Sequence, residues 1–274
     1  MRTILTVALV LTVTITQAQT YKVGDKFVVN VRWTPKTTFL RQTRIDNLDK
    51  NRPTIYSKNA IQYFGGAIRS APKDATAHHH RGLAWTYRGE YDKAIKDFSE
   101  AIRLNPKNGN AYHDRGVAWD FAGDYDKAIQ DFSKAIKIHP KFSLAYLNRA
   151  IARKARGDYD KAAQDCKEAI RLNQNDGMAH NNLAFLMASC PNAKIRNGAM
   201  AVKHATKACE LSGWQYADYV DTLAAAYAET GNFTEAIKRQ QQAIELAPKD
   251  EKGVFKSRLE LYKQGKPFRE KPKK

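Results

Sequence analysis

Apolar residues follow helical spacing through most of this chain, in short segments separated by polar turns. In residues 91–104 they lie three and four positions apart, at Ala94, Ile95, Phe98, Ala101 and Ile102. In residues 75–88 the same spacing brings Gly82 and Trp85 to one face. Gly89, between the two segments, favours a turn because glycine adopts positive φ without strain. The pattern predicts two antiparallel amphipathic helices, neither of which can bury its apolar face alone.

This helix pair recurs along the chain at a fixed interval of 34 residues. The heptapeptide at 89–95 returns with small changes at 123–129 and again at 157–163. Other positions recur one interval later: Gly82, Trp85, Ala94, Phe98, Ala101 and Pro106 become Gly116, Trp119, Ala128, Phe132, Ala135 and Pro140. A constant period of this size is typical of stacked helical arrays, whose extended surfaces bind other molecules.

These small and aromatic positions resemble those of the tetratricopeptide repeat. The resemblance implies an all-α fold, a right-handed superhelix of antiparallel helix pairs. We assign a half repeat to 59–74, and full repeats to 75–108, 109–142, 143–176, 177–216 and 217–250. The array thus covers 59–248. Residues 251–264 are expected to form a capping helix, with Val254, Phe255, Leu259 and Tyr262 packed inward.

Two of the repeats depart from the common pattern. The third has Arg153 where Trp85 and Trp119 stand in the first two. The fourth has about five extra residues in the loop near 190–198, which either contact a ligand or are a tolerated surface insertion. Both are divergent repeats of the same array.

The ends of the chain differ in composition from the array. The formal charge is +18, concentrated in residues 21–73 (11 basic, 3 acidic) and 249–274 (10 basic, 4 acidic). Alternating residues at 21–31 predict a strand, so 19–58 is expected to be irregular or partly β. The stretch 21–31 resembles the start of bacterial Src-homology-3-like barrels, but 21–58 is too short for a complete barrel, and the alternative is a degenerate or disordered remnant. Residues 265–274 are expected to form a flexible basic tail.

The first residues, 1–18, resemble a secretory signal peptide. Arg2 precedes twelve mostly apolar residues, and the triplet Thr16-Gln17-Ala18 suits signal peptidase, so cleavage after Ala18 is expected. The apolar stretch is too short to span a bilayer, for which a helix needs roughly twenty residues. The mature protein is therefore expected to be exported, periplasmic or extracellular, without a transmembrane span. The alternative is an uncleaved membrane anchor.

The resemblance implies that the first helix of each repeat lines a concave groove, where ligands contact the second, fifth, sixth, ninth, twelfth and thirteenth positions. The candidate ligand-binding residues are His79, Leu83, Tyr87, His113, Val117, Phe121, Asn148, Ile151, Asn182 and Phe185. The same positions include Asp114, Asp120, Leu147, Lys154 and Asn181. The amides of Asn148 and Asn182 can pair with the backbone of an extended peptide or be solvated. A clamp for a terminal carboxylate is not expected, because the fifth and ninth positions of the first three repeats lack lysine and arginine.

The sequence contains no recognisable catalytic or cofactor-binding motif, so neither enzymatic activity nor a cofactor is expected. His78, His79 and His80 are adjacent, but consecutive helical side chains point about 100° apart and cannot easily share one metal ion. We expect an exported scaffold that binds a protein or peptide segment in its groove. The alternative is an envelope protein whose basic ends bind polyanions such as acidic polysaccharide, a membrane surface or nucleic acid.

Three cysteines permit one disulfide if the protein is exported. Cys166 takes the position that Phe98 and Phe132 hold in earlier repeats, and is expected to be a core residue. Cys190 and Cys209 are the candidates for a bridge, although their separation along two helices argues against one.

Overall fold

The computed structural model describes residues 59–272 continuously and, before them, three β-strands. The strands are β1 (Ala18–Val23), β2 (Lys26–Arg32) and β3 (Leu40–Arg44). The expected signal peptide lies outside the described residues except for Ala18, so its cleavage stays a prediction.

The three strands form an antiparallel sheet in the order β1-β2-β3. β1 and β2 pair as a hairpin in which Val23 lies opposite Lys26. The alternation at 21–31 predicted extended structure, and these two strands cover that stretch on either side of 24–25. The sheet belongs to the first of two compact units into which the chain divides, and the helices belong to the second. Its resemblance to Src-homology-3-like barrels stays a prediction.

Within residues 59–272 the chain forms twelve α-helices. They are α1 (Ala60–Ser70), α2 (Ala75–Tyr87), α3 (Tyr91–Leu104), α4 (Gly109–Phe121), α5 (Tyr125–Ile138), α6 (Ser143–Arg156), α7 (Tyr159–Leu172), α8 (Gly177–Ser189), α9 (Gly198–Leu211), α10 (Ala217–Glu229), α11 (Phe233–Leu246) and α12 (Lys252–Lys263). α2 to α11 form five antiparallel pairs, with α1 before them and α12 after them. The predicted all-α array is confirmed. None of the described helices has the length and apolar content needed to cross a membrane.

The first two helix pairs close around a contact between a glycine and an aromatic ring. Phe98 of α3 and Phe132 of α5 are almost completely buried. A Cβ atom on Gly82 would lie 2.7 Å from Phe98 Cε1, and one on Gly116 would lie 2.8 Å from Phe132 Cε1. In the third pair Cys166 is 1% exposed, as expected of a core residue in the place of the ring. Glycine therefore allows the two helices to approach over the ring.

A largely buried ion pair, which was not predicted from the sequence, joins the two helices of the first three repeats. Arg81 of α2 donates two hydrogen bonds of 2.7 Å to the carboxylate of Asp97 on α3. One and two intervals later the equivalent pairs are Arg115 with Asp131 and Arg149 with Asp165. Two of these arginines also donate at 3.0 Å to a serine of the preceding repeat, Arg115 to Ser99 and Arg149 to Ser133. The guanidinium thus links helices within and between repeats.

A glycine with positive φ follows the first helix in four of the five repeats. These glycines are Gly89, Gly123, Gly157 and Gly231, with φ from 76° to 94°. Gly89 N–H donates to the carbonyl of Thr86, and Glu90 N–H donates to that of Trp85, both at 3.0 Å. These bonds satisfy carbonyls at the helix end that have no partner within the helix. The fourth repeat has Pro191 at the equivalent position, and residues 190–197 form a longer loop there.

The last helix, α12, differs in part from the expected cap. Phe255, Leu259 and Tyr262 are buried as expected, but Val254 is 58% exposed. The reason is spacing: the three buried residues lie three and four positions apart, and Val254 lies off the face they share. Gly265 follows α12 with φ 69°, one repeat interval after Gly231. We therefore describe α12 as the first helix of an incomplete sixth repeat.

The segment 265–272, expected to be flexible, is instead held against the array. Its Phe268, Arg269 and Glu270 contact α8, α10 and α12 through bonds described below. Pro272 disfavours a second helix after Gly265, because it would lie in the second turn, where proline lacks the N–H donor and disfavours helix in the residue before it.

The contact between glycine and ring in the second repeat predicts a loss of stability when a methyl group is added. Gly116→Ala should lower the free energy of unfolding by about 1–3 kcal/mol, because the new Cβ overlaps the buried ring of Phe132. The matched control is Gly253→Ala in α12, where nothing lies within 4 Å of the added Cβ. The control should keep or slightly raise stability, since alanine favours helix. Thermal unfolding followed by circular dichroism measures both, and equal melting temperatures for the two variants would contradict the packing described.

Candidate functional site

We call the surface formed by α2, α4, α6, α8 and α10 the first-helix face. All ten candidate ligand-binding residues lie on these helices. Four of them are buried: Leu83, His113, Val117 and Asn148. Six are partly exposed and accessible to a ligand: His79, Tyr87, Phe121, Ile151, Asn182 and Phe185. The face is therefore a surface of partly exposed aromatic and aliphatic side chains over a buried polar layer.

That polar layer is a hydrogen-bond network across α2, α4 and α6. His79 Nε2 lies 2.8 Å from Asp114 Oδ2, and His113 Nδ1 lies 3.1 Å from Asp114 Oδ1. Asn148 Nδ2 lies 2.9 Å from His113 Nε2 and donates to it. The imidazoles of His79 and His113 are thus used inside the protein. They orient neighbouring first helices, and ligand contact by either of them stays a prediction.

Three acceptor atoms on the first-helix face are buried and have no hydrogen-bond donor among the described residues. They are Asp120 Oδ1 on α4, Asn148 Oδ1 on α6 and Asn181 Oδ1 on α8. All three residues fall at positions where the resemblance implies ligand contacts. Asn182, which like Asn148 was expected to pair with a peptide backbone or be solvated, donates from Nδ2 to the carbonyl of Met178 at 2.9 Å. The free acceptor on α8 therefore belongs to Asn181.

Asp120 is the acidic member of this set. Burial raises the pKa of its carboxyl from 3.8 to about 6. No basic group is among the causes of the shift, so desolvation of the carboxylate is not offset. A hydrogen-bond donor or a cationic group of a ligand would offset it.

At the other end of the first-helix face, an aromatic ring of the C-terminal segment lies in an apolar and cationic pocket. The ring centroid of Phe268 is 6.4 Å from that of Phe185 on α8. The guanidinium carbon of Arg258 lies 4.2 Å from the Phe268 centroid and 5.7 Å from the Phe185 centroid. Arg258 itself pairs with the buried carboxylate of Asp221 on α10. An ion pair thus fixes the cation that contacts both rings.

The two residues after Phe268 bind the end of α8. Glu270 N–H donates to the carbonyl of Ser189 at 2.9 Å, and Arg269 Nη1 donates to that of Ala188 at 3.3 Å. Arg269 Nη2 also pairs with Glu229 at the end of α10. These contacts involve the twelfth and thirteenth positions of two repeats. They were not expected, because the segment was predicted to be flexible.

His78 and the three cysteines are buried in the helical array. His78 Nδ1 lies 3.5 Å from Asp97 Oδ1, and its Nε2 lies 3.2 Å from the carbonyl of Pro72. Cys166, Cys190 and Cys209 are buried free thiols, so the considered bridge is not formed. Burial raises the pKa of the Cys166 and Cys209 thiols to about 12, which disfavours the reactive thiolate. Among the residues the structure describes, no three His, Cys, Asp or Glu side chains are grouped to hold a metal ion.

Comparison with protein families identifies the repeats in this array. A model described as "Tetratricopeptide repeat" matches residues 75–108, 109–142 and 143–176. A second model with the same description matches residues 217–250. No protein of curated function matches the chain. The four matched stretches correspond to the pairs α2/α3, α4/α5, α6/α7 and α10/α11.

Several solved structures share this fold. The chain is 18% identical to YrrB, described as a TPR protein with an unusual peptide-binding site, with a TM-score of 0.57 over 72% of this chain and 98% of that one. It is 20% identical to MamA, with a TM-score of 0.53 over 63% and 96% of the two chains. It is 22% identical to yeast Tom70, with a TM-score of 0.57 over 78% of this chain and 44% of Tom70. At these identities the similarity shows the fold alone.

The raised pKa of Asp120 predicts how stability depends on pH. The folded protein holds this proton more tightly than the unfolded chain, so stability should fall as pH rises through the window from about 4 to about 6. Asp120→Asn should remove that loss and stabilise the protein at pH 7.5 by an amount on the order of 1–3 kcal/mol, since one pKa unit corresponds to about 1.4 kcal/mol. Urea unfolding at pH 4 and pH 7.5 measures the difference.

The control for this experiment is Asp250→Asn, which changes an exposed aspartate in the loop before α12. It should leave stability nearly unchanged at both pH values. If Asp120→Asn gave the same stability change at pH 4 as at pH 7.5, burial of an ionised carboxylate would not be the cause.

Proposed function

Since residues 75–176 and 217–250 are tetratricopeptide repeats, we propose that this protein is a non-enzymatic scaffold that binds an extended protein or peptide segment on its first-helix face. Helical arrays of this kind present long surfaces to other molecules, and stacking of the repeats supplies their stability. The face in this chain has both the apolar area and the polar groups that an extended segment needs.

The row of buried acceptors without donors carries this proposal. Asp120, Asn148 and Asn181 place one such acceptor on each of three successive first helices. A buried acceptor without a partner costs roughly 1–3 kcal/mol. These atoms have almost no accessible surface, so a ligand removes that cost only if the side chains turn toward its donors when it binds. The N–H groups of an extended backbone are regularly spaced donors, so a peptide meets this requirement better than a small molecule.

Apolar side chains next to these acceptors supply the remaining contact area. Phe121 directly follows Asp120, and Ile151 lies one helical turn after Asn148. Phe185 lies one turn after Asn181. All three are partly exposed on the first-helix face. Burial of such side chains under a ligand contributes about 25 cal/mol for each Å² of apolar surface. The description of YrrB, whose fold is similar, as having a peptide-binding site is consistent with the proposal.

The alternative is binding of polyanions by the basic ends of the chain. Within residues 249–274 there are 10 basic and 4 acidic residues, which favours attraction to anionic surfaces. However, Arg269 is paired with Glu229, and Arg258 is paired with Asp221. These two cations are partly neutralised by the array. This reduces the positive charge that the C-terminal end presents to a polyanion, so we prefer peptide binding.

We further propose that the protein acts outside the cytoplasm. The support is the signal-like pattern of residues 1–18, in which Arg2 precedes an apolar stretch that ends before Ala18. N-terminal sequencing of the mature protein tests this, with Gln19 expected as the first residue and Met1 as the contradicting result.

Capture experiments with the tagged full chain test the peptide-binding function. The face variant carries Phe121→Ala and Asn181→Ala, which removes one aromatic ring and one free acceptor from the first-helix face. It should capture at least tenfold less partner from the native exported fraction at moderate salt than the wild-type chain does, because both the apolar contact and the paired acceptor are lost. Quantitative mass spectrometry after crosslinking measures the capture.

The matched control carries Tyr63→Ala and Asn175→Ala, which also removes one aromatic ring and one asparagine. Both residues are exposed and lie off the first-helix face. The control should capture as much partner as the wild-type chain. Capture that survives the face variant but falls steeply between about 50 and about 200 mM salt would support the polyanion alternative instead.

A further inference from the structure

The C-terminal segment occupies part of the first-helix face, and its contacts show which chemistry that part of the face recognises. We propose that residues 266–270 are an intramolecular ligand of α8 and α10. We further propose that the partner segment bound there presents the same chemistry, an aromatic residue followed by arginine in an extended chain. This inference deepens the proposed function and rests on it.

The site for the segment arises where the fourth repeat departs from the others. The other four repeats end their first helix at a positive-φ glycine, whose N–H and the next N–H satisfy the last carbonyls. Pro191 stands at that position in the fourth repeat and has no N–H to donate. Of the two carbonyls at the equivalent positions, that of Met187 accepts from Asn197 N–H at the end of the loop, and that of Ala188 accepts from Arg269. The carbonyl of Ser189, one residue later, accepts from the backbone of Glu270. The segment therefore supplies the donor for Ala188 that the local sequence lacks, and adds one for Ser189.

The ring of Phe268 determines the aromatic specificity. It packs against a buried cluster formed by Ala224, Ala228, Ala236 and Tyr262. On another side the guanidinium of Arg258 lies 4.2 Å from its centroid, a distance typical of a cation–π contact. Small alanines leave room for a planar ring, and a cation over the ring favours an aromatic over an aliphatic side chain.

Charge complementarity determines the residues that follow the ring. Glu229 lies between two arginines: its Oε1 accepts from Arg196 Nε of the 190–197 loop at 3.2 Å, and its Oε2 pairs with Arg269. One residue later, Glu270 Oε1 lies 3.7 Å from Lys154 Nζ of α6. Glu229 of the array therefore pairs with Arg269, and Lys154 pairs with Glu270, the next residue of the segment. This alternation specifies an arginine followed by an acidic residue and fixes the direction of the bound chain.

The contacts of the segment are confined to a few of its residues. Lys266 and Lys271, on either side of the contacts, are exposed, and only Phe268, Arg269 and Glu270 make the interactions described. Because Gly265 tethers the segment directly to α12, its effective concentration at the site is on the order of millimolar or above. A partner segment with the same chemistry must compete with it. The intact tail should therefore lower the apparent affinity for that partner.

The test uses a fluorescein-labelled synthetic peptide of residues 265–272. Its fluorescence anisotropy is measured as the full chain is added, which gives the affinity of the peptide for that chain. A released-tail variant carries Phe268→Ala and Arg269→Ala, which removes the ring and the guanidinium but leaves the site on α8 and α10 unchanged. The peptide should bind this variant at least tenfold more tightly than it binds the wild-type chain. A peptide with the same two substitutions should bind neither. Equal affinity of the unsubstituted peptide for both chains would overturn the proposal.

Two further variants separate specific contacts from charge and folding effects. A full chain carrying Lys266→Ala and Lys271→Ala loses two positive charges from the same segment. It should bind the unsubstituted peptide with the affinity of the wild-type chain. Phe185→Ala, added to the released-tail variant, should weaken peptide binding at least tenfold. If circular dichroism shows that the variant with Phe185→Ala melts early, Phe185→Leu is used in its place, because leucine keeps the apolar volume but has no ring. Unchanged binding in the folded Phe185 variant would contradict the assigned pocket.

The remaining outcomes are also decisive. If the wild-type chain dimerises in sedimentation and the released-tail variant does not, the segment binds a second copy, and the intramolecular assignment is overturned. The peptide assay needs no natural partner, so it can succeed while partner capture fails. That combination would reject the proposed function and leave the site assignment standing. Capture that succeeds while the peptide binds neither chain would reject this inference alone.

Discussion

The carbonyl groups at the end of each first helix must find donors, and the rest of this structure depends on how they do so. In four repeats a glycine with positive φ turns the chain and supplies them, at Gly89, Gly123, Gly157 and Gly231. That turn sets the second helix antiparallel to the first and brings Gly82 and Gly116 against buried rings. Pro191 cannot supply these donors. Asn197, at the end of a longer loop, donates to the carbonyl of Met187, and the carbonyl of Ala188 accepts from the C-terminal segment.

The first-helix face is consequently divided into two regions of different character. On α4, α6 and α8 it holds buried acceptors without donors, among them Asp120, whose carboxyl has a raised pKa. At the ends of α8 and α10 the acceptors are already satisfied by Arg269 and Glu270. The second region shows, inside the chain itself, how an extended segment with donor groups binds this surface. We propose that the first region binds a comparable segment from elsewhere.

The helix pairs and their glycine and aromatic contacts could be predicted because they repeat every 34 residues, so each position is seen several times. The ion pair of Arg81 with Asp97 recurs at the same interval, and that recurrence could have revealed it. By contrast, the segment around Phe268 occurs once, and its contacts with α8 join residues far apart in sequence. The prediction that Val254 packs inward was wrong, because apolarity alone does not show which side of a helix is covered. The use of His113 within the protein depends on Asp114 and Asn148 meeting across helices.

The central claim is that the C-terminal segment is held on the first-helix face, and amide hydrogen exchange of residues 266–272 in the full chain tests it most directly. The N–H of Glu270 donates to the carbonyl of Ser189 at 2.9 Å, so its exchange should be clearly slower than in a free peptide of the same sequence. The exchange should become faster in the chain carrying Phe268→Ala and Arg269→Ala. Exchange in the wild-type chain as fast as in the free peptide would contradict the account.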